Sequence, residues 1–307
     1  MADPLKIYKA LADETRLRMV RLIARESLNV NEIIGILGMG QSRVSRHLKI
    51  LAEAKLVTSR REGTWIYYQK CSDAAPLVVD LLAVLQRHES MLDYYADDLQ
   101  GLEAVVECRR EETRIFFDGI KDPSQLQYHC LNGEVYRTIA LALMPERAEK
   151  VLDMGTGAGL LLTQLLERTV RVIAVDSSTT MLNMARKAVG KDAVRCEFRL
   201  GDLVHLPVAD GEVDLAVACM VLHHLSNPAD AIGEAYRALK PGGYLVIVDL
   251  HEHQDEALRE IMADLWLGFP PDQVRGWLEA SHFEPTVAEV VGEPDFLKLI
   301  TFQGLKK

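Results

Sequence analysis

Cysteine is scarce in this sequence of 307 residues: Cys71, Cys108, Cys130, Cys196 and Cys219 are scattered along the chain and odd in number. They outline no disulfide framework, so reduced thiols in a cytoplasmic protein are the expectation. Long apolar runs are absent as well, and none reaches the length of a membrane span. The opening residues, Met1-Ala2-Asp3-Pro4, lack the pattern of a signal peptide. There is no internal repeat and no low-complexity tract. A membrane partner and a secreted, cross-linked scaffold are thereby set aside.

What remains has the composition of an ordinary globular protein, 49% hydrophobic and 26% charged, in a chain long enough for two cores. The charge is unevenly spread. Residues 1–70 hold 13 Lys/Arg against 7 Asp/Glu, a balance of +6, and the remainder holds 22 against 38, a balance of −16 within the net −10. A basic head on an acidic body suits a polyanion partner for the head alone. Residues 76–115 are almost free of Gly and Pro and place Leu77, Leu81, Leu85, Leu92, Tyr95, Leu99, Leu102 and Val106 at helical spacing, which predicts one or two long helices. The stretch Asp118 to Ser124 is rich in turn residues. From about residue 128 strand-like and helical runs alternate, the mark of a parallel sheet with crossover helices. The expected division is 1–95, a helical linker over 96–127, and 128–307.

Within the head, Val30 to Leu37 reads as a short amphipathic helix, Gly38-Met39-Gly40 as a turn, and Gln41 to Leu51 as a second helix. Val44, Leu48 and Leu51 share one face of it and pack inward. Gln41, Ser42, Arg43, Ser45, Arg46, His47 and Lys49 are left as candidates to meet DNA, since short polar residues beside arginines at a helix start suit the major groove. Two β-rich runs, Leu56 to Arg61 and Trp65 to Tyr68, flank Glu62-Gly63-Thr64 as a hairpin wing, with Arg60, Arg61 and Thr64 set for phosphate.

Leu11-Ala12-Asp13-Glu14-Thr15-Arg16-Leu17-Arg18 and Ser42 to Leu51 resemble the ArsR/SmtB repressors over roughly residues 1–90. The resemblance implies a mostly α, winged helix-turn-helix domain on double-stranded operator DNA. It also implies a homodimer built on the first and last helices of the domain, here 4–25 and 76–99. Many such repressors sense metals through Cys-x-Cys on the first helix of the reading pair; this chain has Leu28-Asn29-Val30-Asn31 there. His88 and Glu89 are adjacent but have no convincing partner set. No metal is expected.

The body opens with a buried strand, Val151 to Met154, that runs into Gly155-Thr156-Gly157-Ala158-Gly159 and a helix. Alternate glycines let backbone approach a ligand, and the helix N-terminus points at the same place. The dinucleotide pattern GxGxxG fails at Leu160. Asp153 instead suits the ammonium of an amino acid. A second strand ends in Asp176, where a carboxylate can take both ribose hydroxyls, followed by Ser177. Met181 can pack on a purine, and Gly201-Asp202-Leu203 follows the third strand. The fourth strand ends at Cys219-Met220 and leads to His223 and His224. Leu239 to Gly243 reads as a tight turn into a fifth strand, Tyr244 to Asp249. Two last strands are expected near 284–291 and 296–304, joined through Gly292-Glu293-Pro294 as an antiparallel edge hairpin.

These features resemble the class I S-adenosylmethionine-dependent methyltransferases over 128–307, an α/β Rossmann-like fold with a mostly parallel, seven-stranded sheet. By that resemblance Asp153, Gly155, Thr156, Gly157 and Gly159 hold the methionine moiety. Asp176 holds the ribose and Asp202 and Leu203 the adenine, with Ser177, Met181, Gly201 and Cys219 as further cofactor-binding candidates. Methyl transfer needs no diagnostic acid–base pair, because the sulfonium is already a good leaving group. An enzyme with His223 or His224 as base and a regulator with a nucleoside effector therefore both stand. Cys130, Cys196 and Cys219 do not match an arsenite methyltransferase set, and the Asn/Asp-Pro-Pro-aromatic loop of DNA methyltransferases is missing. The layout resembles S-adenosylhomocysteine-responsive regulators of methionine and S-adenosylmethionine recycling.

Overall fold

Asp3 and Asp13 each accept a backbone N–H at 3.0 Å from the turn that follows, Leu5 and Arg16 respectively, and each starts a helix. These are α1 (Pro4–Leu11) and α2 (Glu14–Arg25). A short strand β1 (Leu28–Asn29) leads to α3 (Val30–Leu37), whose start is a reciprocal cap: Glu32 N–H donates to Asn29 and Asn29 N–H donates to Glu32. Gly38, at φ +63°, ends α3 in the left-handed conformation that favours glycine. Helix α4 (Gln41–Glu53) and strands β2 (Val57–Glu62) and β3 (Trp65–Lys70) follow, with the sheet ordered β1-β3-β2 and antiparallel. The segment 76–115 resolves into α5 (Pro76–His88) and α6 (Tyr95–Asp118).

The computed structural model describes residues 3–62, 65–71, 74–127, 131–146, 148–292 and 296–307. Two compact units divide it, residues 1–110 and 111–307, and the boundary falls within α6. In the first unit Met19, Leu22, Ile23, Ile33, Val44, Leu48, Leu51 and Leu56 make the core. Beside it, Asp98 of α6 is wholly buried and accepts from Arg18 at 2.6 and 2.9 Å and from Arg21 at 2.6 Å. Three charge-assisted bonds offset the cost of burying that carboxylate. Lower on α6, Arg109 forks onto Glu32 at 2.9 and 2.6 Å. Glu89 is buried against Arg25.

The second unit is a seven-stranded sheet with helices on both faces. Its elements are α7 (Gly133–Ala142), β4 (Ala148–Met154), α8 (Leu160–Leu165), β5 (Thr169–Asp176), α9 (Thr179–Val189), β6 (Cys196–Leu200) and β7 (Val213–Cys219). After them come α10 (Pro228–Ala238), β8 (Leu239–Leu250), α11 (Ala257–Ile261), α12 (Pro271–Ala280), β9 (Phe283–Val291) and β10 (Leu299–Lys306). The order is β6-β5-β4-β7-β8-β10-β9, parallel except that β10 is antiparallel to both β8 and β9. The expected edge hairpin is present, with part of its linker, residues 293–295, outside the described residues. The fifth strand departs from expectation. It begins at Leu239 rather than Tyr244, because Val213 pairs with Leu239 and Leu215 already with Tyr244, so Lys240 to Gly243 bulge out of register. The order in which successive strands are added across the sheet reverses between the parallel β4 and β7, and their carboxyl ends open a crevice there. Among the described residues no helix is long and apolar enough to cross a membrane.

Candidate functional site

Helix α4 presents two faces. Val44, Leu48 and Leu51 are fully buried against the core of the first unit, and Gln41, Ser42, Arg43, Ser45, Arg46 and Lys49 are exposed. The outward stripe is therefore three cations and three short or amide side chains. His47 is not part of it. Only 12% of its side chain is exposed, its Nδ1 lies 3.8 Å from Asp13 Oδ1, and burial holds its pKa below the ordinary value. On the wing, Arg61 is exposed and Arg60 half-buried. Thr64 and Gly63 lie outside the described residues.

In the second unit a cavity of about 800 Å³ opens at the carboxyl ends of β4, β5 and β7. Such a volume accommodates a nucleoside-sized ligand. Asp153 closes β4 beneath the glycine loop, nearly inaccessible, and accepts from Thr156 Oγ1 at 2.6 Å. Burial raises its pKa to about 6 against the pull of that hydroxyl. Asp176 closes β5; its Oδ2 accepts from Gly157 N–H at 2.8 Å and its Oδ1 from Ser178 N–H at 2.9 Å. Here too burial outweighs the donors and places the pKa at about 6. Ser178 Oγ receives Met181 N–H at 3.1 Å, capping α9, and donates to Asp118 Oδ1 at 2.6 Å. Asp118, the last residue of α6, also accepts from Thr180 N–H at 3.4 Å.

The loop glycines divide by role. Gly157, at φ +52°, lines the cavity, and a Cβ there would meet nothing within 4 Å, so its backbone is bare towards ligand. Gly159, at φ +83°, would bring a Cβ within 2.7 Å of the Ala185 backbone and so permits α8 to pack on α9. Asp153, Gly155, Thr156, Gly157, Asp176, Ser177, Asp202, Leu203 and Cys219 all line the cavity, whereas Gly159, Met181 and Gly201 do not. Met181 is buried in the interior, and Gly201 is where Pro207 packs against backbone.

His223 and His224 also line the cavity, with their rings 4.1 Å apart. His223 Nδ1 donates to Asp249 Oδ1 at 2.5 Å, and its Nε2 faces Asp264 Oδ1 at 3.7 Å. Burial alone would lower the His223 pKa, but Asp249 and Asp264 outweigh it and hold it at about 9. Burial, reinforced by that cation, depresses His224 well below its usual value. Of the two, His224 is the ring that stays neutral at neutral pH. Burial also raises the Cys219 thiol, so it is not a thiolate nucleophile. Cys196 is off the cavity wall and its thiol is pushed up to about 11 by burial; Cys130 lies outside the described residues. Asp249 and Asp264 were not singled out from the sequence. Asp249 could have been, as the acid that ends a strand beside the crevice; Asp264 sits in irregular chain and carries no local signal.

Residues 13–59 match the family of bacterial regulatory proteins termed arsR, and residues 152–247 match the methyltransferase domain family. The chain is 48% identical over 64 residues to the arsenic resistance transcriptional regulator ArsR1 of Pseudomonas putida, covering 20% of this chain and half of that protein. It is 35% identical over 135 residues to the arsenite methyltransferase of Halobacterium salinarum, covering 43% of this chain and 33% of that protein. The chain thus spans between a third and a half of the length of these relatives. The N-methyltransferase NodS of Bradyrhizobium japonicum, solved in complex with S-adenosyl-L-homocysteine, superposes with a TM-score of 0.51 at 18% identity over 62% of this chain and 97% of that one. That likeness is one of fold. The chain therefore joins an ArsR-type helix-turn-helix domain to a class I methyltransferase domain with a seven-stranded, mostly parallel sheet.

Proposed function

We propose that this protein is a DNA-binding transcriptional regulator, a repressor whose methyltransferase-fold domain takes S-adenosylmethionine or S-adenosylhomocysteine as effector. Its metabolic setting in this reading is methionine and S-adenosylmethionine recycling. The cavity fits such a nucleoside. Asp176 is the carboxylate for the ribose hydroxyls, Asp202 and Leu203 border the adenine region, and Asp153 with the bare backbone at Gly157 meets the amino acid end. On the DNA side, Gln41, Ser42, Arg43, Ser45, Arg46 and Lys49 of α4 face the groove and Arg60 and Arg61 the phosphates. A homodimer is supported by exposed apolar side chains on the helices expected to pair, Leu5 and Tyr8 of α1 and Val79 and Val84 of α5.

The observation that carries the reading is the bond between Ser178 and Asp118. It ties the loop just after the ribose carboxylate to the end of α6, the helix whose earlier turns hold Arg18, Arg21 and Glu32 through Asp98 and Arg109. A ligand that alters the Asp176–Ser178 loop acts on that helix. Such a ligand regulates only by preferring one conformation over the other. The test is affinity for the protein's own upstream DNA without ligand, with S-adenosylmethionine and with S-adenosylhomocysteine. A difference between nucleosides supports the sensor. No effect of either, with nucleoside binding established by calorimetry, moves the assignment to the second reading: a small-molecule methyltransferase with an accessory DNA-binding domain. That reading draws on neutral His224 in the cavity wall and on the arsenite methyltransferase among the relatives.

A further inference from the structure

The regulator reading makes no use of a largely buried cluster in the same cavity wall, His223, His224 and Asp264. Each offers one ligand atom, and the three atoms lie within 4.8 Å of one another. His223 Nε2 and His224 Nδ1 stand 3.7 and 3.6 Å from Asp264 Oδ1. That oxygen is buried and has no hydrogen-bond partner. A carboxylate oxygen desolvated without a donor is costly, and its two near neighbours are imidazole nitrogens, so a shared cation satisfies all three.

The surroundings match those of a metal ligand. Asp249 accepts from His223 Nδ1 and from the N–H groups of Val221, Leu222 and Leu250 at 2.5, 3.2, 2.8 and 2.7 Å. A carboxylate so occupied is no ligand itself. It fixes the ring with Nδ1 as donor, so that a metal ion displacing the Nε2 proton would meet that nitrogen's lone pair on the side of Asp264, the role an outer carboxylate plays for a metal-bound histidine. The segment bearing Asp264 is held in place too: Leu265 and Trp266 N–H both donate to the His223 carbonyl at 3.0 Å. Zinc-type bonds of about 2.0–2.1 Å put tetrahedral ligand atoms about 3.4 Å apart, so each histidine nitrogen need close on Asp264 Oδ1 by only a few tenths of an ångström.

We propose that His223 Nε2, His224 Nδ1 and Asp264 bind one divalent transition-metal ion of the zinc class, with a further coordination position open to the cavity. Two imidazoles and one carboxylate favour that class over the all-oxygen cations magnesium and calcium. The ion takes the place of the 3.3 Å contact between His224 Nδ1 and the Ala263 carbonyl. The proposal departs from the absence of metal expected from the sequence, and it uses none of the positions at which such repressors sense metals. The assignment is independent of what nucleoside the cavity holds.

Tag-free, full-length protein stripped with chelator is titrated with zinc chloride against a chromophoric competitor. One equivalent per chain is expected, with affinity reduced tenfold or more in Asp264→Asn and His224→Gln, and about 10- to 100-fold in Asp249→Asn, which leaves every ligand in place. X-ray absorption of the zinc-loaded wild type, which needs no variant to fold, is expected to show two imidazoles, oxygen and no sulfur. No stoichiometric binding, a sulfur ligand, or wild-type zinc affinity in Asp264→Asn that circular dichroism shows to be folded overturns the site.

Discussion

A carboxylate grows more expensive to ionise the deeper it lies, and Asp153 and Asp176 lie deep, each with a pKa raised by burial from 3.8 to about 6. For an acid raised on folding, the protonated form is the one the fold favours. The stability these two contribute is fully present below about 3.8 and is lost as pH rises through 6. Nucleoside binding in the proposed reading runs the other way, because ribose hydroxyls and an ammonium would donate to the ionised oxygens. Calorimetric affinity for S-adenosylhomocysteine is therefore expected to fall about tenfold between pH 7.5 and pH 5 for each carboxylate that must ionise. Asp176→Asn weakens binding at pH 7.5 and removes one of the two titrations. If its pH dependence matches the wild type, the ribose is not held at Asp176.

At the scale of elements, α4 is a helix whose two faces were plain in its periodicity: Val44, Leu48 and Leu51 recur at helical spacing and are the residues buried. Arg46→Ala removes a cation from the exposed face without touching that core. It is expected to weaken operator binding about ten- to hundredfold and leave nucleoside affinity unchanged, as read by fluorescence anisotropy and calorimetry. Equal loss of both would mean that the variant is misfolded. Three features of such elements escaped the sequence because they depend on what packs from elsewhere. His47 has the spacing of a surface residue, yet the start of α2 brings Asp13 against it. Gly159 looks like a ligand-cradling glycine, yet the approach of Ala185 is what requires it. Asp264 acquires meaning only through His223 and His224, some forty residues earlier. The strand ends, by contrast, were legible: a buried run that stops at an acid before a turn positioned both Asp153 and Asp176.

For the whole molecule, a sensor requires more than two binding activities; it requires a coupling free energy between them, typically 1–3 kcal/mol, or about 5- to 150-fold in affinity. Among the described residues helix α6 is the element that contributes residues to both units, and its last residue is bonded to the loop beside Asp176. Asp118→Ala deletes the acceptor of Ser178 and Thr180 while leaving the bond from Ser178 N–H to Asp176, the Gly157 N–H contact and the Met181 cap in place. It also spares the outward face of α4. The variant is expected to bind S-adenosylhomocysteine and, without ligand, operator DNA within about threefold of wild type, with the ligand's effect on DNA affinity reduced towards none. The decisive quantity is the ratio of DNA affinities with and without nucleoside, because a general loss of structure lowers both affinities without abolishing their ratio. A full wild-type ratio in Asp118→Ala would exclude the α6 terminus as the route, and the search would pass to the proposed dimer surface on α1 and α5, where a ligand could act on the spacing of the two reading helices.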